Sequence, residues 1–64
     1  MFTVVMKPIP ETGEVITHQI KSAVRGEHGP KFIVVDFSDG DPALGALIVD
    51  QIENISELHQ HFIL

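Results

Sequence analysis

Three side chains near the carboxyl end of the chain are of the types that bind divalent metal ions. His59 and His61 stand two positions apart in ELHQHF, and Glu57 precedes them. Zinc needs imidazole nitrogens and carboxylate oxygens that converge on one point. On a helix, side chains two positions apart point about 160° away from each other, so these imidazoles would converge only in an extended chain. We therefore expect no metal and no cofactor; the candidate metal ligands are Glu57, His59 and His61.

The sequence SDGDPALGAL places a glycine and two aspartates between a predicted strand and a predicted helix. Free backbone N–H groups at the start of a helix bind anions. However, Asp39 and Asp41 would repel phosphate, and the spacing and lysine of a phosphate-binding P-loop are missing. Aspartates here are typical of turns and helix N-caps. An alternative function for the chain is that of a small dimer that binds a ligand or a metal, or catalyses a reaction, at residues 36–41 and the C-terminal histidines.

Groups for covalent catalysis are scarce in this sequence. It contains no Cys, Tyr or Trp. Ser22, Ser38 and Ser56 have no neighbouring base at a spacing that would activate a hydroxyl. A chain of this length rarely encloses the cavity of about 300 Å³ that a small substrate needs. We predict that the protein is not an enzyme.

The charge of the chain is acidic and unevenly distributed. The formal net charge is −5, and all four basic residues precede Phe32. Nucleic-acid binding depends on clustered Lys and Arg, so we expect no direct contact with nucleic acid. No stretch approaches the roughly 20 apolar residues of a membrane-spanning helix. We therefore expect a cytoplasmic protein that does not bind a membrane.

Two runs rich in β-branched and aromatic residues predict strands, one from Phe2 to about Pro8 and one from Lys31 to Phe37. Between them, PETG suits a four-residue hairpin loop, because Pro10 restricts φ for a type I turn and Gly13 accepts a positive φ.

The segment that follows this loop, residues 14–24, can be interpreted in two ways. Its many Val, Ile and Thr residues favour a strand. Its apolar residues also occupy one half of a helical wheel, and Gly26 would suit a helix C-cap. We prefer the strand, which predicts three strands before the last segment; the helix is the alternative and would produce βαβα.

The last third of the chain predicts one long amphipathic helix from Pro42 to Phe62, with Asp41 as its N-cap. A break at NIS, where Ser56 would cap a second short helix, is the alternative. The fold class expected is α+β: a three-stranded antiparallel meander followed by one long C-terminal helix, in a single domain spanning residues 1–64. The apolar face of the predicted helix comprises Leu44, Leu47, Ile48, Ile55, Leu58 and Phe62.

The sequence also predicts surfaces that need a partner. A domain of this size has a small core, and without cysteine no disulfide can support it, so we expect a homodimer. One helix covers only one face of a sheet, yet the segment from Phe32 to Phe37 is apolar on both. We expect a non-enzymatic interaction module, an inhibitor or adaptor of another protein, with a structural subunit of a larger assembly as a further alternative. The interaction residues expected are the apolar Phe32, Val34, Phe37 and Phe62 and the acidic Asp50, Glu53 and Glu57.

Overall fold

The α+β class is confirmed: an antiparallel sheet carries one α-helix on one of its faces. The computed structural model describes residues 1–26, 29–38 and 44–63. Within them the sheet has four strands in the order β1-β2-β3-β4. The elements are β1 (Phe2–Val5), β2 (Thr17–Gly26), β3 (Gly29–Phe37), β4 (Leu44–Ile48), a 3₁₀ turn (Val49–Gln51) and α1 (Ile55–Phe62).

The first hairpin contains the four-residue loop that PETG predicted. The Ile9 N–H donates to Glu14 O at 2.9 Å, and the Gly13 N–H donates back to Ile9 O at 2.6 Å. Gly13 has φ 72°, a conformation that only glycine adopts without strain. β1 itself is shorter than predicted and ends at Val5, although the Met6 N–H still bonds to Ile16 O.

The segment after this loop is a strand, so the βαβα alternative is wrong. β2 pairs antiparallel with both β1 and β3, and its register shifts by one residue between Ile20 and Ser22. Ile20 and Ala23 therefore both reach the core although they are three positions apart. This bulge explains why the apolar residues of β2 imitate helical spacing.

Residues 44–48 form a fourth strand where the apolar spacing predicted part of a helix. β4 pairs antiparallel with β3, and Ala46 lies opposite Val34. In a run this short, apolar residues fit strand alternation as well as helical spacing. The pairing also satisfies a row of backbone N–H and C=O groups on β3. The predictions of three strands and of a helix through residues 44–54 were therefore wrong, because strand pairing outweighed the helix preference of Ala and Leu.

α1 occupies only the end of the long helix that was predicted. The helix begins within NIS, where the alternative placed the start of a second short helix. Its N-cap position is Asn54 rather than Ser56. The Asn54 side chain makes no capping hydrogen bond to the helix. Asp39, Gly40, Asp41 and Pro42, with the turn and cap roles predicted for them, lie outside the described residues.

The side chain of Asn54 instead helps to close the outer edge of β1. Its Oδ1 accepts from the Val5 N–H at 2.9 Å, and its Nδ2 donates to Thr3 O at 3.0 Å. Two backbone bonds of 2.7 Å join the same edge, from the Lys7 N–H to Gln51 O and from the Glu53 N–H to Val5 O. The segment before α1 thus occupies the position of a neighbouring strand.

The core lies between α1 and one face of the sheet, which we call the inner face. α1 packs on β1 and β2, and Leu58 is its buried residue. Ile33 and Val35 point from β3 into the same cluster. The opposite side of the sheet is called the open face below. The buried residues are Val4, Ile20, Ala23, Ile33, Val35, Leu47, Ile52 and Leu58.

Candidate functional site

Apolar side chains from three strands meet on the open face. Val24 lies opposite Val34, and Val34 lies opposite Ala46. One pair further along, Phe32 lies opposite Ile48. Directly opposed residues of antiparallel strands project to the same face, so these five side chains form one surface. We call it the open patch: Val24, Phe32, Val34, Ala46 and Ile48.

The open patch is substantially exposed to solvent. Val24 is 47% exposed and Ile48 is 46% exposed, whereas Phe32 and Val34 are half-buried by their neighbours. α1 cannot cover these residues, because it packs on the inner face. Contiguous exposed apolar side chains on a small protein mark interaction surfaces more often than scattered ones do.

The other half of the open face, on β1 and β2, is mainly polar. The Thr3 hydroxyl donates to Gln19 Oε1 at 3.0 Å and accepts from Gln19 Nε2 at 2.7 Å. Thr17 follows on the same face, opposite Val5. Among the described residues, the apolar side chains of the open face are therefore concentrated on the side of the sheet that ends at β4, with Val5 as the exception on β1.

A carboxylate lies beside the open patch. Asp36 follows Phe32 and Val34 in the alternation of β3 and therefore projects to the open face, opposite Ser22. It is partly buried. A partner that covers the open patch would meet this negative charge at the rim.

Two aromatic residues expected at the interaction surface lie elsewhere. Phe37 projects to the inner face, where its ring is 5.4 Å from that of His18 and contacts Gly45. Phe62 packs edge-on against Phe2, with ring centroids 5.7 Å apart. Both are partly buried against the core cluster. Of the four apolar residues expected at the surface, only Phe32 and Val34 belong to the open patch.

The three acidic residues expected to form an interaction face are all exposed. Asp50 lies in the 3₁₀ turn, Glu53 in the turn that follows, and Glu57 in the first turn of α1. They do not share one helical face, because the helix begins only at Ile55. Glu57 is placed where the positive end of the helix dipole stabilises a carboxylate.

The two C-terminal histidines have separate surroundings. His59 is half-buried, and its Nε2 lies 2.8 Å from Arg25 Nη1. A guanidinium has only donors, so this contact requires His59 Nε2 to be the unprotonated nitrogen. His61 is exposed, with its ring centroid 4.9 Å from that of Phe2. No group of three His, Asp or Glu side chains in the described ranges is arranged to hold a metal ion.

An open groove of about 370 Å³ runs along α1, lined by Ile55, Ser56, His59 and Gln60. Arg25 reaches His59 from β2 and so places a positive charge at this groove. A hydroxyl, an amide and a guanidinium could bind a small anion here. The groove does not include Asp36, which projects to the other face of the sheet. Of the predicted ligand site, Asp36 is therefore separated from the C-terminal histidines by the sheet, and residues 39–41 lie outside the described residues.

Three residues of the open patch were missed by the sequence analysis. Val24 was considered as part of a strand, but the bulge in β2 reverses which of its neighbours face the core. Ala46 and Ile48 were assigned to a helix. The alternation of Ala46, Leu47 and Ile48 was the available signal, but three residues are too few to distinguish a strand from a helix.

Comparison of the chain with protein-family models, with curated proteins and with solved structures found no match. The helices in the described part of the chain are too short to cross a lipid bilayer.

Proposed function

We propose that the protein is a non-enzymatic interaction module, a small cytoplasmic homodimer that binds and modulates another protein through the open patch. The observation that best supports this proposal is the exposure of apolar side chains from β2, β3 and β4 on one surface. Such a surface gains free energy when a partner removes it from water, at about 25 cal/mol per Å².

The partner's surface should be apolar at its centre and basic at its rim. The chain carries a formal charge of −5, and Asp36 lies on the same face as the open patch. Asp50 follows Ile48 by two residues and is exposed. Like charges across an interface disfavour acidic partners, whereas Lys and Arg around an apolar centre complement this arrangement.

Replacement of Val24 by aspartate should abolish binding of the partner. The change places a carboxylate in the open patch, where a bound partner would bury it without a counter-ion. We expect the dissociation constant to rise by at least about tenfold, which corresponds to about 1.4 kcal/mol. The measurement is affinity capture from native cells with the tagged protein, followed by titration of the purified, identified partner.

Val15→Asp is the matched control for this experiment. Val15 is 50% exposed, close to the 47% exposure of Val24. It lies in the loop before β2 and outside the open patch. We expect Val15→Asp to retain the partner that Val24→Asp loses, with circular dichroism showing both variants folded. If Val24→Asp retained the partner as well as the unchanged protein does, the proposed function would be refuted.

Charge reversal at the exposed acids should slow association with the same partner. Asp50, Glu53 and Glu57 contribute to the negative potential that attracts a basic surface. For the triple change to lysine we expect an association rate about three- to tenfold lower at low salt, with a much smaller dissociation-rate change. The difference should disappear at about 1 M salt, where the Debye length is about 3 Å. A salt-independent association rate for the unchanged protein would contradict this role for the acids.

A further inference from the structure

The two edges of the sheet differ in how their backbone groups are satisfied. The outer edge of β1 is closed by the chain itself, through Gln51, Glu53 and the amide of Asn54. At the other edge, β4 bonds to β3 on one side. Among the residues that the structure describes, none donates to or accepts from β4 on its other side. An edge of this kind is a template for a further strand.

The sequence of β4 has none of the residues that normally prevent edge pairing. Proteins protect an edge strand with lysine, proline, a bulge or an inward charge. β4 reads LGALI, without charge or proline, and its register with β3 is regular. The small side chain of Ala46 also leaves room for another backbone to approach.

We propose that β4 pairs antiparallel with β4 of a second copy of this chain, about a two-fold axis at Ala46. A second copy fits because an antiparallel pair of identical strands is self-complementary. It also fits electrostatically: each chain carries −5, yet β4 brings no charged side chain to the seam. The two open patches then adjoin across the axis, because Ala46 and Ile48 belong to both the edge and the patch.

This inference identifies the seam of the homodimer in the proposed function and rests on that part of it. The resulting sheet of eight strands leaves the two open patches on one face, free for the partner. Dimerisation and partner binding therefore use different groups, the backbone edge of β4 for the first and the side chains of the patch for the second.

A charge-swap experiment at Ala46 tests the seam. Ala46 is exposed, so Ala46→Lys and Ala46→Glu should each fold, which circular dichroism will check. Identical charges directly opposite each other across the axis disfavour pairing, whereas Lys opposite Glu favours it. By sedimentation velocity over a concentration series, each variant alone should raise the dimer dissociation constant about two- to fivefold, and an equimolar mixture should restore dimers.

Two further measurements separate this seam from other ways of dimerising. Hydrogen exchange of the unchanged protein should slow at residues 44–48 as concentration rises, while β1 stays unchanged. Val24→Asp, on β2, should leave the dimer intact although it abolishes partner binding. Loss of the dimer in Val24→Asp would place the seam on the open face and overturn the proposal. A monomer at all concentrations would overturn it too, without affecting the test of partner binding.

Discussion

Leu58→Ala is expected to lower the free energy of unfolding by about 2–5 kcal/mol, the range for truncating a buried leucine. Leu58 has 0% exposure and is the buried residue of α1. It contributes to the cluster with Ile33 and Val35, so its removal leaves a cavity under the helix. A domain of this size has a total stability on the order of 3–10 kcal/mol. The variant should therefore be partly unfolded at 37 °C.

Urea unfolding followed by circular dichroism measures this loss. Gln60→Ala is the control, because Gln60 is exposed on the same helix and its change should stay within about 0.5 kcal/mol. If Leu58→Ala is too unstable to measure, Leu58→Met keeps most of the volume and should cost less than about 1.5 kcal/mol. Equal stability of Leu58→Ala and Gln60→Ala would show that α1 does not cover the core as described.

Gly45→Ala is expected to destabilise the protein by about 1–3 kcal/mol, as overpacking does. A Cβ on Gly45 would stand 2.7 Å from Cζ of Phe37 and closer still to Cε2. The aromatic ring occupies the space where a side chain would project from β4, so it must move. Thermal unfolding of the purified variant measures the effect.

A double-mutant cycle with Phe37→Val isolates this contact. Valine is β-branched and therefore favourable in a strand, and its side chain is too short to reach Gly45. In that background Gly45→Ala should be neutral, or stabilising by up to about 1 kcal/mol, because alanine loses less backbone entropy than glycine. The difference between the two backgrounds measures the coupling. An equal loss of stability from Gly45→Ala in both backgrounds would mean that the Phe37 ring does not cause the destabilisation.

The first three strands and the first turn could be predicted from local sequence. β3 alternates apolar residues on both sides, and its β-branched residues fit a strand better than a helix. Pro10 and Gly13 each meet a specific backbone requirement of the hairpin loop. These features depend on residues close together in the chain, which is why they were visible without the structure.

The identity of residues 44–54 could not be predicted in this way. Leu47 packs in the core either as a strand residue or as a helix residue, and the spacing of its neighbours permits both. Asn54 looked like a helix breaker, but its amide satisfies the edge of β1, which is 49 residues away from it in sequence at Val5. Contacts of that separation leave no periodic pattern in the sequence.

The sequence predicted that an apolar face of the sheet stays uncovered, but it identified only some of the residues on that face. Phe32 and Val34 were expected on an uncovered face because β3 is apolar on both sides. Phe37 was expected with them, but strict alternation along β3 places it on the inner face, over Gly45. Val24, Ala46 and Ile48 joined the patch through strand pairing alone.

By itself, the sequence determined an acidic chain with an α+β composition, a tight first hairpin and more apolar strand surface than one helix can cover. The tertiary structure decided which residues form the apolar surface that the helix leaves uncovered. Pairing of β4 with β3 moved Ala46 and Ile48 from a predicted helix to the open face, and the segment ending at Asn54 closed the edge of β1. The physical reason is that unpaired backbone groups are costly. Satisfying them across the sheet outweighed the local preferences of the residues involved.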